Sequence, residues 1–426
     1  MNLLLIGSGA REHAIAWKLR QSPRLDDLLV APGNPGTAEL GTNLSLDTND
    51  FDAISHACRE RRIDLVVIGN EAPLAAGLAD RLAVEGIAVF GPTQAAAEIE
   101  SSKLFAKELM ARHGIPTAPF ATFDDIDAAR AHIEAQPAAL VVKSDGLTAG
   151  KGVIVTRTKA EALEALDTIM SRRAFGSAGE RVVIERRLSG REVSAHAFTD
   201  GETVAHMPFA CDHKPVFDGD QGPNTGGMGA SSPPGWLDES TANIIQKEIT
   251  EAAVRAMMAE GRPYRGVLYP GLMIGDDGPH VIEFNCRFGD PETQVLLPRL
   301  ESDLLDVLWA VANNRLHEIE LRWSEEACVA VVLASGGYPD AYETGFPIDG
   351  LAELDSDVLV FQAGTRRRDD GALVTAGGRV LTVAAAGATL VEAREKAYRN
   401  VERIRFQGSH YRRDIGVAQS TPVQGA

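Results

Sequence analysis

The sequence is poor in the residues that stabilise extracellular and membrane proteins. Its 426 residues include only four cysteines, with no CxxC pair among them, which argues against a disulfide framework or a zinc knuckle. No stretch approaches the roughly 20 apolar residues that span a bilayer. The opening apolar run, residues 3 to 6, is too short for a signal peptide. We therefore expect a cytoplasmic protein with no membrane partner.

Positive charge is also scarce. The chain has 42 Lys and Arg against 60 Asp and Glu, a net charge of -18, and this field repels nucleic acid. A site for a phosphate therefore has to be built locally from basic side chains, backbone amides and metal. The length exceeds what one hydrophobic core supports and favours two to four domains.

Hydrophobic patterning predicts a multidomain protein with α/β and α+β parts. In the first 100 residues, short apolar runs alternate with helical patterns, which indicates βαβ units and a parallel sheet. These runs lie at residues 3 to 6, 28 to 31, 65 to 68 and 87 to 90. A helix is expected over residues 95 to 113, and residues 119 to 192 predict a compact α+β lid.

The rest of the chain predicts a hairpin and a last domain. Apolar runs at residues 267 to 274 and 281 to 285 flank a Gly-Asp-Asp-Gly turn, which is typical of an antiparallel hairpin. A block that begins near residue 328 ends with a periodic helix from residue 390 to about residue 404. We expect this block to form a separate α+β domain.

Residues 7 to 13, Gly-Ser-Gly-Ala-Arg-Glu-His, follow a strand and open a helix, which suits an anion at a helix N-terminus. A dinucleotide-binding fingerprint has a third glycine where this chain has Glu12, so the nicotinamide interpretation is weakened. Arg11 suggests a guanidinium that reaches a phosphate, although a tight turn with a surface arginine is equally consistent. Glu71 follows a buried strand and either binds a ligand or caps the next helix.

Residues 143 to 152 form a glycine-rich segment between two strands. It differs from a P-loop in spacing and in lacking the Ser or Thr that binds magnesium. Such a segment can fold as a flap over phosphates, with Lys143 and Lys151 supplying charge. A plain hairpin is the alternative.

The strand at residues 281 to 287 places Glu283, Asn285 and Arg287 on one face. One carboxylate and one amide suffice for Mg²⁺ when water and phosphates complete its shell; an exposed edge strand is the alternative. Asp290 and Pro291 then predict a helix that begins with Asp290 as its N-cap and points its N-terminus at this site.

Residues 219 to 229 are too rich in glycine for a helix or a central strand. We expect a loop whose free amides wrap a small carboxylate or a phosphate. The alternative is a mobile linker.

Together these segments resemble the phosphoribosylamine-glycine ligase (glycinamide ribonucleotide synthetase) family of the ATP-grasp superfamily. The most specific matches are Gly-Pro-Asn-Thr-Gly-Gly-Met-Gly at residues 222 to 229 and Glu-Phe-Asn-Cys-Arg-Phe-Gly-Asp-Pro-Glu-Thr-Gln at residues 283 to 294. The segment at residues 7 to 13 and Gly-Gly-Arg-Val at residues 377 to 380 also fit. The resemblance covers nearly the whole chain.

The resemblance implies a pre-ATP-grasp domain at residues 1–102 and a two-lobed ATP-grasp unit at residues 103–325. The lid of that unit is expected at about residues 119–192. A C-terminal domain follows at residues 326–418, with a tail at residues 419–426. ATP is expected to lie between the lobes, under the lid loop.

The resemblance also assigns residues. Those implied for ATP are Lys103, Lys143, Gly150, Lys151, Gly152, Glu185, Leu188 and Glu192, with Glu192 on the ribose. Those implied for phosphoribosylamine and the acceptor side are Gly9, Arg11, Glu71, Thr225, Gly226, Gly227 and Met228. Glu283 and Asn285 match the metal ligands, and Arg287, Lys143 and Asp290 are the catalytic candidates. Because Pro215 departs from the family pattern, no role is assigned to residues 212 to 214.

The implied reaction joins glycine to 5-phosphoribosylamine through a glycyl phosphate, with ATP and Mg²⁺ or Mn²⁺. We expect a monomer or a weak homodimer that binds small molecules only. One alternative is another ATP-grasp carboxylate-amine ligase or carboxylase, which would share every ATP-side residue. Others are a nicotinamide-dependent dehydrogenase and a nucleotide-binding protein without turnover.

Overall fold

The computed structural model describes residues 1–136, 139–148 and 151–417. The chain opens with a five-stranded parallel sheet in the order β3-β2-β1-β4-β5. Its strands are β1 (Asn2–Gly7), β2 (Asp27–Pro32), β3 (Thr42–Asn43), β4 (Leu65–Ile68) and β5 (Ala88–Phe90), and its helices are α1 (Ala10–Leu19), α2 (Phe51–Glu60), α3 (Glu71–Ala75) and α4 (Leu78–Val84). The apolar runs of β1 and β4 are buried on both faces, as parallel strands covered by helices require. The predicted parallel sheet is confirmed.

The single helix expected over residues 95 to 113 is wrong, because the chain forms α5 (Gln94–Ser101) and α6 (Lys103–His113). At the break, Ser102 has an extended backbone, and its hydroxyl accepts a hydrogen bond from the backbone N–H of Phe105. The same hydroxyl donates to Asp145 at 3.0 Å. Serine side chains that bond locally in this way compete with helix continuation.

The lid is a four-stranded antiparallel sheet in the order β6-β9-β7-β8. It comprises β6 (Phe120–Phe123), α7 (Ile126–Ala135), β7 (Leu140–Ser144), β8 (Val153–Val155), α8 (Lys159–Leu166) and β9 (Val182–Arg186). Both helices pack on it through a small apolar core. The strands on either side of the glycine-rich segment are confirmed.

The second lobe is built on the predicted hairpin. Strands β17 (Gly266–Gly275) and β18 (Gly278–Asn285) pair antiparallel across a tight turn. β17 also pairs with β10 (Arg191–Ser194) and β11 (Ala197–Thr199), and β12 (Val204–His206) completes the sheet. Helices α9 (Glu239–Ile244) and α10 (Glu251–Ala259) follow one another, joined by a π-helical turn at Ile245–Thr250. The hairpin prediction is confirmed.

The loop expected over residues 219 to 229 is only partly present. Within it, β15 (Gln221–Asn224) pairs with β14 (Pro215–Phe217), and Gly229 begins β16 (Gly229–Ser232). β16 in turn pairs with β13 (Cys211–Asp212). The pairing satisfies backbone groups that a free loop would leave to water, so it overrides the low strand propensity of glycine.

The last part of the chain shares a sheet with the second lobe. Its strand order is β13-β16-β19-β23-β20, with β19 (Ala327–Ala334), β20 (Val358–Gln362) and β23 (Arg379–Gly387). The remaining elements are α11 (Thr293–Leu296), α12 (Leu304–Ala312), β21 (Thr365–Arg367), β22 (Leu373–Thr375) and α13 (Leu390–Val401). Because β16 pairs directly with β19, the sheet continues across the boundary expected near residue 325.

One local expectation, a helix that begins with Asp290 as its N-cap, needs correction. The helix expected to start at Asp290 begins at Thr293 instead. The Asp290 carboxylate accepts a hydrogen bond from Gln294 at 2.7 Å and forms an ion pair with Arg379 at 3.0 Å, so it does not act as an N-cap.

Within the described ranges, no helix is long and apolar enough to cross a membrane.

Candidate active site

A cleft of about 1040 Å³ lies between the lid and the second lobe and extends to the edge of the first domain. The carboxyl ends of β1 and β4 open into it, which is where open parallel sheets bind ligands. It is also lined by many residues singled out in the sequence, namely Gly9, Arg11, Glu71, Lys103, Lys143, Glu185, Leu188, Glu192, Thr225, Gly226, Glu283, Asn285, Arg287 and Asp290. Segments more than 250 residues apart in the sequence therefore meet at one cavity.

A buried ion cluster joins the lid to the second lobe. The Glu185 carboxylate contacts Nζ of both Lys107 and Lys143, and Lys143 also donates to the backbone carbonyl of Ile282 on β18 at 2.9 Å. Burial, followed by the charge of Lys143, lowers the pKa of Lys107 to about 8. Burial alone would raise the pKa of Glu185, but the two ammonium groups lower it. The cluster fixes Lys143 at the wall of the cleft.

Lys103 lies one helical turn before Lys107 on α6, and its Nζ donates to the carbonyl of Gly146 in the lid loop at 2.9 Å. Burial lowers the pKa of Lys103, while the carboxylate of Glu283 acts in the opposite direction. Lys103 therefore ties the lid loop to the floor of the cleft.

Glu283 and Asn285 alternate on β18 and both line the cleft. Nζ of Lys214 lies 3.7 Å from Glu283 and 3.3 Å from Glu192. Burial alone would raise the pKa of Glu283, but Lys214, Lys143 and other nearby cations lower it, so the side chain is a carboxylate at neutral pH. Asn285 donates from Nδ2 to the carbonyl of Tyr269 at 3.5 Å, which leaves its oxygen as a possible ligand.

Glu283 and Asn285 suit a metal ion whose coordination shell is completed by water and phosphate oxygens. Among the residues that the structure describes, no group of three or more His, Cys, Asp or Glu side chains could hold a metal. One carboxylate and one amide oxygen are too few for a cage made by protein alone. They match the way Mg²⁺ binds to few side chains together with water and phosphate oxygens.

Arg287 lies at the junction of the first domain and the second lobe. Its guanidinium is 3.2 Å from Glu71 and 3.2 Å from Glu100. Burial alone would lower the pKa of Arg287, but these two carboxylates, Glu100 first, raise it above its ordinary value. Glu100, on α5, was not singled out in the sequence.

The glycine-rich loop at residues 7 to 13 is stabilised by contacts of its own side chains. The Glu12 carboxylate accepts a hydrogen bond from the backbone N–H of Gly9 at 2.7 Å and pairs with Arg11 at 2.5 Å. Arg11 also donates to the carbonyl of Phe288 at 3.2 Å. A side chain at Gly7 or Gly69 would collide with Glu12, so Glu12 occupies the space beside the turn.

A residue from the last part of the chain, Arg379, contacts the turn at Gly226 that borders the cleft. Arg379 donates to the carbonyl of Gly226 at 2.6 Å and forms an ion pair with Asp290. Burial alone would raise the pKa of Asp290, but Arg379 and then Arg11 lower it. The turn at Gly226 is thereby held against the segment that follows β18.

Four predicted binding residues do not line the cleft: Lys151, Gly152, Gly227 and Met228. Met228 is fully buried in an apolar cluster. Gly152 is enclosed by the lid loop, where a side chain would collide with Ser144. Gly150 lies outside the described residues, as does the tail at residues 419–426.

The cleft also contains charged residues that had no role assigned from the sequence. They are Glu100, Lys107, Asp212, Lys214, Glu292 and Arg379. One signal was available for Lys107, because it follows Lys103 by four residues and shares its helix face. Glu292 and Arg379 lie within motifs that carry the family resemblance. No local pattern encodes the proximity of these segments in the fold.

Three family descriptions match consecutive parts of the chain. Phosphoribosylglycinamide synthetase, N domain, matches residues 1–100, its ATP-grasp (A) domain residues 101–293, and its C domain residues 328–418. The chain belongs to the phosphoribosylglycinamide synthetase family. It is thus an ATP-dependent ligase, and this family membership implies use of ATP and a divalent metal ion. The dehydrogenase alternative is wrong.

The names of individual relatives agree with this family assignment. The chain is 49% identical over 416 residues to a phosphoribosylamine-glycine ligase of Halalkalibacterium halodurans, covering 98% of this chain and 96% of the relative. It is 51% identical to part of the trifunctional purine biosynthetic protein adenosine-3 of Gallus gallus, covering 97% of this chain and 42% of that protein.

Solved structures show the same architecture. The crystal structure of a phosphoribosylamine-glycine ligase from Thermotoga maritima has a TM-score of 0.84 and 35% identity, covering 97% of this chain and all of that one. A biotin carboxylase domain from Hydrogenobacter thermophilus, at 14% identity, has a TM-score of 0.72 and covers 96% of this chain and 91% of its own. The second likeness shows the fold alone. The expected ATP-grasp architecture is confirmed by the family description that matches residues 101–293.

Proposed function

We propose that this phosphoribosylglycinamide synthetase joins glycine to 5-phosphoribosylamine and gives glycinamide ribonucleotide, ADP and phosphate in purine biosynthesis. The observation that carries the proposal is the single cleft in which the cations Lys103, Lys143, Lys214 and Arg287 surround Glu283 and Asn285. The loop at Gly9 and the turn at Gly226 border the same cleft. The relatives named phosphoribosylamine-glycine ligase support the assignment of substrates.

The chemistry requires activation of a carboxylate. An oxygen of the glycine carboxylate attacks the γ-phosphorus of ATP, the bond to the β-phosphate oxygen breaks, and glycyl phosphate and ADP result. The amine of phosphoribosylamine then attacks the carbonyl carbon, loses a proton, and expels phosphate. A divalent ion supplies charge stabilisation for the transferred group when bound.

The protein's part in the first step is positioning and charge. Lys143 and Arg287 supply positive charge where negative charge accumulates on the transferred phosphoryl group. Glu283 and Asn285 would hold Mg²⁺ or Mn²⁺, and Lys214, between Glu192 and Glu283, keeps these carboxylates from repelling one another. No side-chain nucleophile is needed.

We assign the nucleotide to the lid side of the cleft. Residues 185 to 188 follow the adenine, Glu192 binds the ribose, and Lys103 contacts the phosphates, with the lid segment of Lys151 and Gly152 above them. Gly150 keeps its proposed role in that segment. A closed lid would exclude water from the acyl phosphate.

The acceptor binds on the first-domain side, at Gly9, Arg11 and Glu71, with the turn at Thr225 and Gly226 facing it. Gly227 and Met228, which do not line the cleft, support the conformation of this turn. The ion pair of Asp290 with Arg379 holds the Arg379 side chain against the turn at Gly226. We further propose a cytoplasmic location, a monomer or a weak homodimer, and no nucleic-acid or membrane partner.

The test is ADP release from ATP with glycine and freshly generated phosphoribosylamine, with each omitted in turn. We expect turnover only with both. Turnover that is indifferent to both, or that follows another carboxylate or bicarbonate, would assign the cleft to a different ATP-grasp reaction.

A further inference from the structure

Two carboxylates in the cleft lack a cationic partner. Asp212 and Glu292 both line the cavity, and no Lys, Arg or His nitrogen of the described residues lies within 4.0 Å of either. Oδ1 of Asp212 is buried without a hydrogen-bond partner. Glu292 is only 2% exposed, and its Oε1 accepts hydrogen bonds from the hydroxyls of Tyr269 at 2.6 Å and Ser194 at 2.9 Å. No described residue donates a hydrogen bond to its Oε2.

The two carboxylates belong to different elements that meet at one glycine. A Cβ on Gly227 would lie 2.7 Å from Oδ1 of Asp212 and would overlap Pro291, the neighbour of Glu292. Burial raises the pKa of Asp212, and the charge of Glu292 raises it further. Lys214 and Arg379 act in the opposite direction, but they contact neither carboxyl group, so their compensation is incomplete and the pKa of Asp212 stays well above its ordinary value.

The nearby cations are committed elsewhere. Lys214 lies between Glu192 and Glu283, Arg287 between Glu71 and Glu100, and Arg379 contacts Asp290 and the carbonyl of Gly226. Buried carboxylates are stable only when a cation or several donors compensate them. The raised pKa of Asp212 is the consequence of this incomplete compensation, and a cationic ligand would supply the missing charge.

We propose that Asp212 and Glu292 bind the ammonium group of the amino acid substrate, an inference that rests on the proposed function. A primary ammonium has three donors, which suits Oδ1 of Asp212 and the open oxygen of Glu292. The family resemblance gave neither residue a role, although Glu292 lies within the motif at residues 283 to 294.

The location fits the chemistry at the other end of glycine. Asp212 and Lys214 are two residues apart, so their Cα atoms are separated by at most roughly 7 Å, and Lys214 contacts Glu283. The nitrogen of glycine is two bonds from its carboxylate carbon, so one molecule can contact Asp212 while its carboxylate lies beside the metal pair and the γ-phosphate. The ammonium is thereby held on the side of the molecule that does not react.

The experiment compares Asp212→Asn and Glu292→Gln with Asp276→Asn, a control at the exposed hairpin turn. The measurements are the KM for glycine, the KM for ATP, and the inhibition constant of glycolate, which carries a hydroxyl instead of the ammonium. Loss of a charge-assisted hydrogen bond predicts a KM for glycine about tenfold higher or more. The KM for ATP should stay within about twofold, and glycolate should bind the variants at least as well as the wild type.

Three results would overturn the proposal: an unchanged KM for glycine in both variants, an equal loss of glycine and glycolate binding, or an effect that appears only in the apparent affinity for Mg²⁺. The third would assign the pair to a metal ion. Thermal unfolding of Asp212→Asn checks that the fold is intact, and Glu292→Gln tests the same site from another element. If wild-type turnover ignores glycine, the proposed function fails; if it requires glycine and the variants match it, only the ammonium site fails.

Discussion

His13 gives a quantitative test of the contact between the first domain and the last part of the chain. Its Nδ1 accepts a hydrogen bond from the backbone N–H of Gln362 at 2.8 Å, and its ring meets Phe361 edge-on with 5.7 Å between centroids. Burial lowers the pKa of His13 from 6.5 to about 4. A proton on Nδ1 would face a donor, so the folded protein holds this ring neutral.

The sign and size of the effect follow from linkage. Between pH 4 and 6.5 the unfolded chain binds more protons at His13 than the folded chain, so stability is lost as pH falls through this window. The difference between 6.5 and about 4 corresponds to roughly 3 kcal/mol in all, of which about 2 kcal/mol is lost between pH 7 and pH 5.

The variant is His13→Asn, whose side-chain oxygen can still accept from Gln362 but does not titrate. Urea unfolding at pH 7 and pH 5 can be followed by fluorescence of Trp17, which packs on the same Phe361. We expect the wild type to lose about 2 kcal/mol more than the variant between these pH values. His317→Asn, at an exposed histidine, serves as the control. Equal pH dependence in wild type and His13→Asn would refute the reasoning.

Three further predictions concern the metal pair, a close approach and a buried ion pair. Glu283→Ala should abolish metal-dependent ADP release while the circular dichroism spectrum stays native; near-normal rates would refute the metal role. Gly36→Ala, whose Cβ would overlap the His13 ring, should lower the free energy of unfolding by about 1–3 kcal/mol, whereas Gly235→Ala, with open space around it, should change it little. Arg412→Met, at a fully buried guanidinium that pairs with two aspartates, should reduce that free energy by about 3–5 kcal/mol in urea unfolding; a loss below about 1 kcal/mol would show that these aspartates need no partner.

Sequence patterns determined the local elements. The continuous apolar runs of β1 and β4 identified strands buried on both faces, and the Gly-Asp-Asp-Gly turn identified the hairpin of β17 and β18. The period of two along β18 put Glu283 and Asn285 on the same side. Each of these features depends on neighbours within about ten residues, so a single sequence contains all of the relevant information.

Only the tertiary structure decided which charges meet. Glu185 lies between Lys107 and Lys143, and Arg379 reaches Asp290 across 89 residues of sequence. It also showed that β16 and β19 share a sheet across an expected domain boundary. Pairing of this kind depends on the paths of distant segments, and the sign and burial of a side chain do not specify its partner. For that reason Asp212, on β13, and Glu292, in the turn before α11, emerge as a pair only when the fold brings these two segments together.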